Sequence, residues 1–127
     1  RLVMVEVPES PSLFMAGMAG SRFPIPVAHG EGRPVAREGG PAPEASANRV
    51  ALRYVDHYGR VAERYPDNPN GAPGGIAGLT TADGRFTILM PHPERAVRAV
   101  QLSWRPSGCG PDGPWMRLFR NARAWLE

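Results

Sequence analysis

The chain has 127 residues, 42% of them hydrophobic, enough to build the core of one small domain or of a piece of a larger one. All 15 basic residues are arginine; against 12 acidic residues they give a formal charge of +3. Without lysine no phosphate-binding loop of the form GxxxxGK[ST] can exist, so nucleotide chemistry has to be carried elsewhere, and without a run of about 18 apolar residues no helix can span a membrane.

The arginines are scattered, with one loose helical cluster at Arg117, Arg120 and Arg123, which reads as a solvated helix face rather than a nucleic-acid patch. Fifteen glycines and fifteen prolines predict long irregular connections. The single cysteine, Cys109, cannot form an internal disulfide, which fits a reducing, cytoplasmic setting, and it sits among turn formers in RPSGCGPDGP. Three dispersed histidines and one cysteine give no metal-site spacing.

The chain opens on Arg1 and runs at once into the strand-like LVMVEV (2–7), as a chain cut within a fold would; residues 1–127 are expected to be the C-terminal portion of a longer domain. SPSLFMAGMAGS (10–21) is either one helical turn or a packed loop. FPIPVAHGEGR (23–33) holds a short extended piece, because Pro24 and Pro26 keep their predecessors out of the α region, and it breaks at Gly30 and Gly32. REGGPAPEASAN (37–48) is a surface excursion. RVALRYVD (49–56) alternates as a half-buried strand, and VAERYP (61–66) is placed to form a hairpin with it. IAGLTT and RFTILM flank ADGR, where Asp83-Gly84 signals a tight hairpin turn. At the end, PWMRLFRNARAWLE spaces Trp115, Leu118, Phe119, Ala122 and Trp125/Leu126 as a helix whose aromatic stripe is expected to pack on the core, with Pro114 in its first turn.

The chemistry-bearing stretch is ILMPHPER (88–95). In an extended backbone, residues two apart project to one side, so His92 and Glu94 are expected to face the same way just past a strand, with Pro91 and Pro93 restricting the backbone around them. A carboxylate that accepts one ring N–H fixes the tautomer and stabilises the imidazolium formed when the other nitrogen takes a proton, so the pair lacks only a nucleophile. The plainer reading is a histidine in a proline-bracketed loop whose glutamate caps the helix starting near Arg95. His57 beside Asp56 imitates such a pair, but adjacent strand residues point to opposite faces, and it reads as structural.

VAHGEGR (27–33), ALRYVDHYG (51–59), YPDNPNGAPGGIAGLTTADGR (65–85), MPHPER (90–95) and PWMRLFRNAR (114–123), in this order, resemble the phosphoribosylformylglycinamidine synthase family, and in it the C-terminal glutaminase domain of the large single-chain bacterial form. The resemblance implies an α/β fold: the C-terminal part of a class I glutamine amidotransferase (flavodoxin-like) domain with a mixed sheet, hairpins and a closing C-terminal helix. It implies a Cys–His–Glu triad in which His92 and Glu94 supply two members. The family's cysteine lies upstream on a G-x-C-x-G turn; no cysteine precedes His92 here, and Cys109 follows it, so the piece alone is expected to be inactive. By the same resemblance His29 and Gly30, on the loop after the FPIP strand, are the candidates for binding the glutamine head group, glycine allowing close backbone approach. The implied partners are glutamine and a synthetase domain of the same parent chain, which uses ATP and Mg²⁺; no cofactor is expected within these residues, and neither nucleic acid nor membrane as partner. Two alternatives stay open: another class I amidotransferase, and a degenerate, non-catalytic module that only docks on a synthetase.

Overall fold

The computed structural model describes residues 1–28, 32–35, 37–38, 48–105 and 107–127. Its frame is a five-stranded sheet in the order β2-β1-β3-β4-β5, every pairing antiparallel. β1 (Leu2–Glu6) is the strand its short apolar run suggests, with Val3 and Val5 inside. After a loop whose 3₁₀ turn spans Leu13–Met15, the chain returns as β2 (Arg22–Pro26) along one edge. β3 (Val50–Val55) takes the middle, and β4 (Ile76–Thr80) and β5 (Thr87–Leu89) complete the other side.

The middle place corrects the expectation for β3. Five of its six residues are buried, on both faces, and only Arg53 is partly open. Alternation reads as half-burial when one face meets water; here both faces are covered, and the small Ala51 and branched Val55 fill the second face as Leu52 and Tyr54 fill the first. The hairpin expected between 49–56 and 61–66 shrinks to one bridge, Val55 to Val61, closed by the Asp56 carboxylate, which accepts the N–H groups of Tyr58 and Arg60 at 2.9 Å each.

Pro24 and Pro26 define β2. In a strand the N–H and C=O of one residue point the same way, and Val27 exchanges hydrogen bonds with Arg1, so alternate residues of β2 face β1 while Pro24 and Pro26 face outward. Proline has no N–H to offer a neighbour, which suits it to an edge. The outward carbonyls remain as acceptors. Pro24 O takes the indole N–H of Trp115 at 2.7 Å, and Pro26 O takes the backbone N–H of His92 at 2.9 Å.

The β4–β5 hairpin forms as expected, with a connection longer than two residues. Thr81 N–H bonds Phe86 O, Gly84 N–H bonds Thr81 O, and Gly84 takes φ of 71°. A Cβ on Gly84 would collide with the Pro11 carbonyl, so glycine is required there for close approach as well as for conformation. The hairpin docks on the 8–15 loop through Leu13 N–H to Gly84 O and a hydroxyl chain from Ser12 through Thr87 to Thr80.

The closing helix α1 (Met116–Leu126) lies against the Leu13–Met15 turn, Asn121 donating to the carbonyls of Phe14 and Ala16 at 2.8 Å each. Trp115, just before it, is fully buried edge-on to Phe23, ring centroids 5.7 Å apart. The stripe expected to pack on the core does so only in its first turn: Trp115 and Leu118 are buried, whereas Phe119, Trp125 and Leu126 are 42%, 55% and 79% exposed. Only the helix start meets the sheet, and its later turns run past the core they would need. No helix among the described residues is long and apolar enough to cross a membrane.

Two buried polar side chains make opposite predictions. Asn68 gives its amide N–H groups to Ala62 O and Ala72 O and accepts the Ala72 N–H, tying together the two ends of the largely exposed 62–72 loop. Asn68→Ala strands those backbone groups and is expected to cost about 2 kcal/mol in denaturant unfolding. The Tyr54 hydroxyl is buried with no partner among the described residues, and burial pushes its pKa to about 12. Tyr54→Phe is therefore expected to leave stability unchanged or raise it by about 1 kcal/mol; a loss comparable to that of Asn68→Ala would contradict this.

Candidate active site

The site begins where β5 runs out. Met90 N–H still bonds Ala77 O of β4, at 2.9 Å, and then Pro91 takes the chain off the ladder. His92 N–H crosses the end of the sheet to Pro26 O on β2, the opposite edge strand. A 3₁₀ turn over Pro93–Ala96 starts at once, with Arg95 N–H bonding His92 O at 3.2 Å. Pro91 and Pro93 are both buried, so the backbone that carries the imidazole is held by packing, by proline rings and by one long-range bond.

His92 Nδ1 and a Glu94 carboxylate oxygen lie 2.7 Å apart. The contact is the one expected, but the reason for it differs. His92 has φ −111° and ψ 84° and precedes a turn, so the two side chains meet over that turn and not along an extended strand. His92, not Glu94, holds the N-cap position of that turn, and Glu94 lies inside it rather than at the start of a helix near Arg95. An ionised carboxylate can only accept, so Nδ1 carries the hydrogen and Nε2 keeps its lone pair. No partner bonds Nε2 among the described residues.

The Glu94 carboxyl is held below its usual range. Partial burial pulls it upward, but its own backbone N–H, the His92 imidazole and Arg95, 4.0 Å away, together outweigh that. The ring is 30% exposed and the carboxylate 56%, so the pair opens to solvent.

An apolar cavity of about 290 Å³ lies next along the chain, against Ile76–Leu79 of β4 and Ile88–Met90, with Gly32 on its other wall. It ends at Met90, and neither His92 nor Glu94 lines it. His29 and Gly30 lie outside the described residues. Their flanks are placed: β2 ends at Pro26, which binds His92, and Gly32 accepts a hydrogen bond from Asn70 and faces Met90. Pro26 is the site residue that sequence reasoning missed; the signal was the alternate prolines of FPIP, which leave its carbonyl facing out. His57 forms no dyad, for Asp56 spends its carboxylate on Tyr58 and Arg60 while the His57 ring stacks on Tyr58, centroids 4.0 Å apart. Cys109 is exposed and lines a different cavity, with Trp104.

Among known families, that of the CobB/CobQ-like glutamine amidotransferase domain matches residues 1–126. A solved structure, PurLQS from Thermotoga maritima, is similar at 30% identity with a TM-score of 0.66. The match covers 100% of this chain and 47% of the Thermotoga chain, so the chain spans about half the length of that relative. The antiparallel sheet with its closing helix is thus part of a class I glutamine amidotransferase fold, α/β overall.

A carboxyl whose pKa is lowered on folding adds stability above its unfolded pKa and loses it as pH falls through the folded value. His92→Ala removes two of the influences that lower Glu94, so its carboxyl is expected to titrate closer to the ordinary range in carbon-detected NMR. An unchanged titration would mean that the imidazole does not hold the carboxylate in solution.

Proposed function

This chain belongs to the CobB/CobQ-like glutamine amidotransferase domain family, and from that membership we propose that it is part of the glutaminase domain of a phosphoribosylformylglycinamidine synthase. Its contribution is the acid–base half of the site. A cysteine thiol from outside these residues loses its proton to His92 Nε2, and the thiolate attacks the side-chain amide carbon of glutamine. His92 returns the proton to the departing nitrogen as ammonia leaves. It then takes a proton from the water that hydrolyses the thioester, and the thiol and glutamate are released. Glu94 holds the Nδ1–H tautomer throughout and stabilises the imidazolium in each protonated state.

The observation that carries this reading is the 2.7 Å contact between His92 and Glu94, with Nε2 left without a partner among the described residues. His29 and Gly30 are proposed to meet the glutamine head group, since the strand that leads to them ends on the carbonyl bonded to His92. The ammonia is proposed to pass to a synthetase domain of the same parent chain, where ATP and Mg²⁺ drive conversion of formylglycinamide ribonucleotide to the amidine. No three His, Cys, Asp or Glu side chains gather among the described residues to hold a metal ion. A catalytic thiolate needs reducing surroundings, and the cytoplasm is the compartment we assign. Without an upstream thiol these residues alone would not hydrolyse glutamine.

In the intact enzyme, His92→Ala is expected to lower glutamine-dependent synthesis by about 10²–10⁴-fold while synthesis from free ammonia continues. Glu94→Gln is expected to act in the same direction and to spare the ammonia reaction too. Survival of the glutamine reaction in His92→Ala would sink the catalytic role assigned to His92.

A further inference from the structure

Two asparagines on the connection before β4 are used differently. Asn68 is buried and spends its amide on Ala62 and Ala72, inside its own loop. Asn70 keeps one bond in that loop: its Oδ1 accepts the Ala72 N–H at 3.2 Å, a hydrogen shared with Asn68 Oδ1 at 3.1 Å. The shared bond is the lesser part of what holds the loop, but it fixes which way the Asn70 amide faces, with the oxygen inward and Nδ2 outward. Nδ2 then donates to Gly32 O at 3.0 Å, on the segment that follows β2.

Gly32 lies where a small displacement matters. Its φ of 112° suits glycine, and a Cβ there would stand 2.6 Å from Met90 Cε. Met90 is two residues before His92, and Gly32 and Met90 share a wall of the apolar cavity beside β4. The segment after β2 is thus tied at both ends. At its start Pro26 O holds the His92 N–H, and at its end Gly32 O holds Asn70. Fixing both ends of a short segment removes conformations that a ligand would otherwise have to remove on binding.

We propose that Asn70 is a positioning residue for glutamine: its amide holds the far end of the segment that carries His29 and Gly30, and so sets that segment beside the His92–Glu94 pair before substrate arrives. The inference rests on the glutaminase reading and adds a residue to it that touches neither the substrate nor the dyad.

The test uses the intact enzyme, with synthesis followed against glutamine and, separately, against ammonia. Asn70→Asp keeps an acceptor for the Ala72 N–H, but its carboxylate has no hydrogen for Gly32 O. It is expected to raise KM for glutamine by about tenfold, the size of one lost hydrogen bond. The kcat at saturating glutamine is expected to stay within about twofold, as when binding alone is weakened, and synthesis from ammonia to stay unchanged. Asn70→Ala is expected to raise the same KM. An unchanged KM in both variants overturns the proposal. So does a fall in kcat without a rise in KM, or an equal loss with glutamine and ammonia, because the side chain would then serve chemistry or folding. His92→Ala in the same assay separates the two readings. If it keeps the glutamine reaction, the glutaminase reading falls and takes this proposal with it; if it loses that reaction while the Asn70 variants keep their KM, this proposal falls alone.

Discussion

One hydrogen bond sets the geometry of the candidate site: His92 N–H to Pro26 O. The strands at the two edges of the sheet, β2 and β5, would otherwise be joined only through the three strands between them. β5 is three residues long and pairs only with β4, so the chain beyond it has little to fix its direction. The bond at Pro26 anchors that chain at a second point on the far side of the sheet. Pro91 and Pro93 then remove most of the freedom that remains, and the 3₁₀ turn places Glu94. The imidazole and carboxylate are partly exposed, so packing around their own tips cannot orient them; the backbone does.

That bond is available because β2 is an edge strand made of alternate prolines. A strand with ordinary residues there would present outward N–H groups beside its outward carbonyls and so invite another strand. FPIP presents carbonyls alone, and each has one dedicated donor, Trp115 for Pro24 and His92 for Pro26. The two bonds sit two residues apart on one strand. Trp115 also packs edge-on against Phe23 between them and the rest of β2, so the position of α1 and the position of the dyad are referred to the same five residues. The C-terminal helix, which also meets the Pro93–Ala96 turn, thus supports the site.

The sequence made the local features legible and left the relations between distant elements open. β1, the β4–β5 hairpin and α1 follow from a short apolar run, from Asp83-Gly84 and from helical spacing, all of which act over a few residues. The double burial of β3 does not follow, because its place in the middle of the sheet is decided by β1 and β4 and by what lies over each face. The apolar spacing of α1 is likewise local, and it does not say how far the sheet extends beneath the helix; Trp125 and Leu126 lie beyond that reach. At the site itself the residue pair was legible from H-P-E, but its conformation was not. Two prolines restrict His92 to a range of backbone angles, and the bond to Pro26, sixty-six residues away in sequence, selects within that range a geometry that starts a turn.

The direction from which a nucleophile must come follows from the same arrangement. Glu94 is ionised at neutral pH, as any glutamate is, and its surroundings lower its pKa further, so at Nδ1 it is the acceptor. The basic lone pair is therefore on Nε2, on the far side of the ring from Glu94. A thiol activated by this histidine has to approach along that side, away from the Pro93–Ala96 turn. Cys109 is held in a cavity with Trp104 and the start of α1, to which neither member of the dyad contributes a wall. The placement of the cysteine agrees with that geometry: Cys109 opens onto a cavity apart from the His92–Glu94 pair and offers Nε2 no thiol.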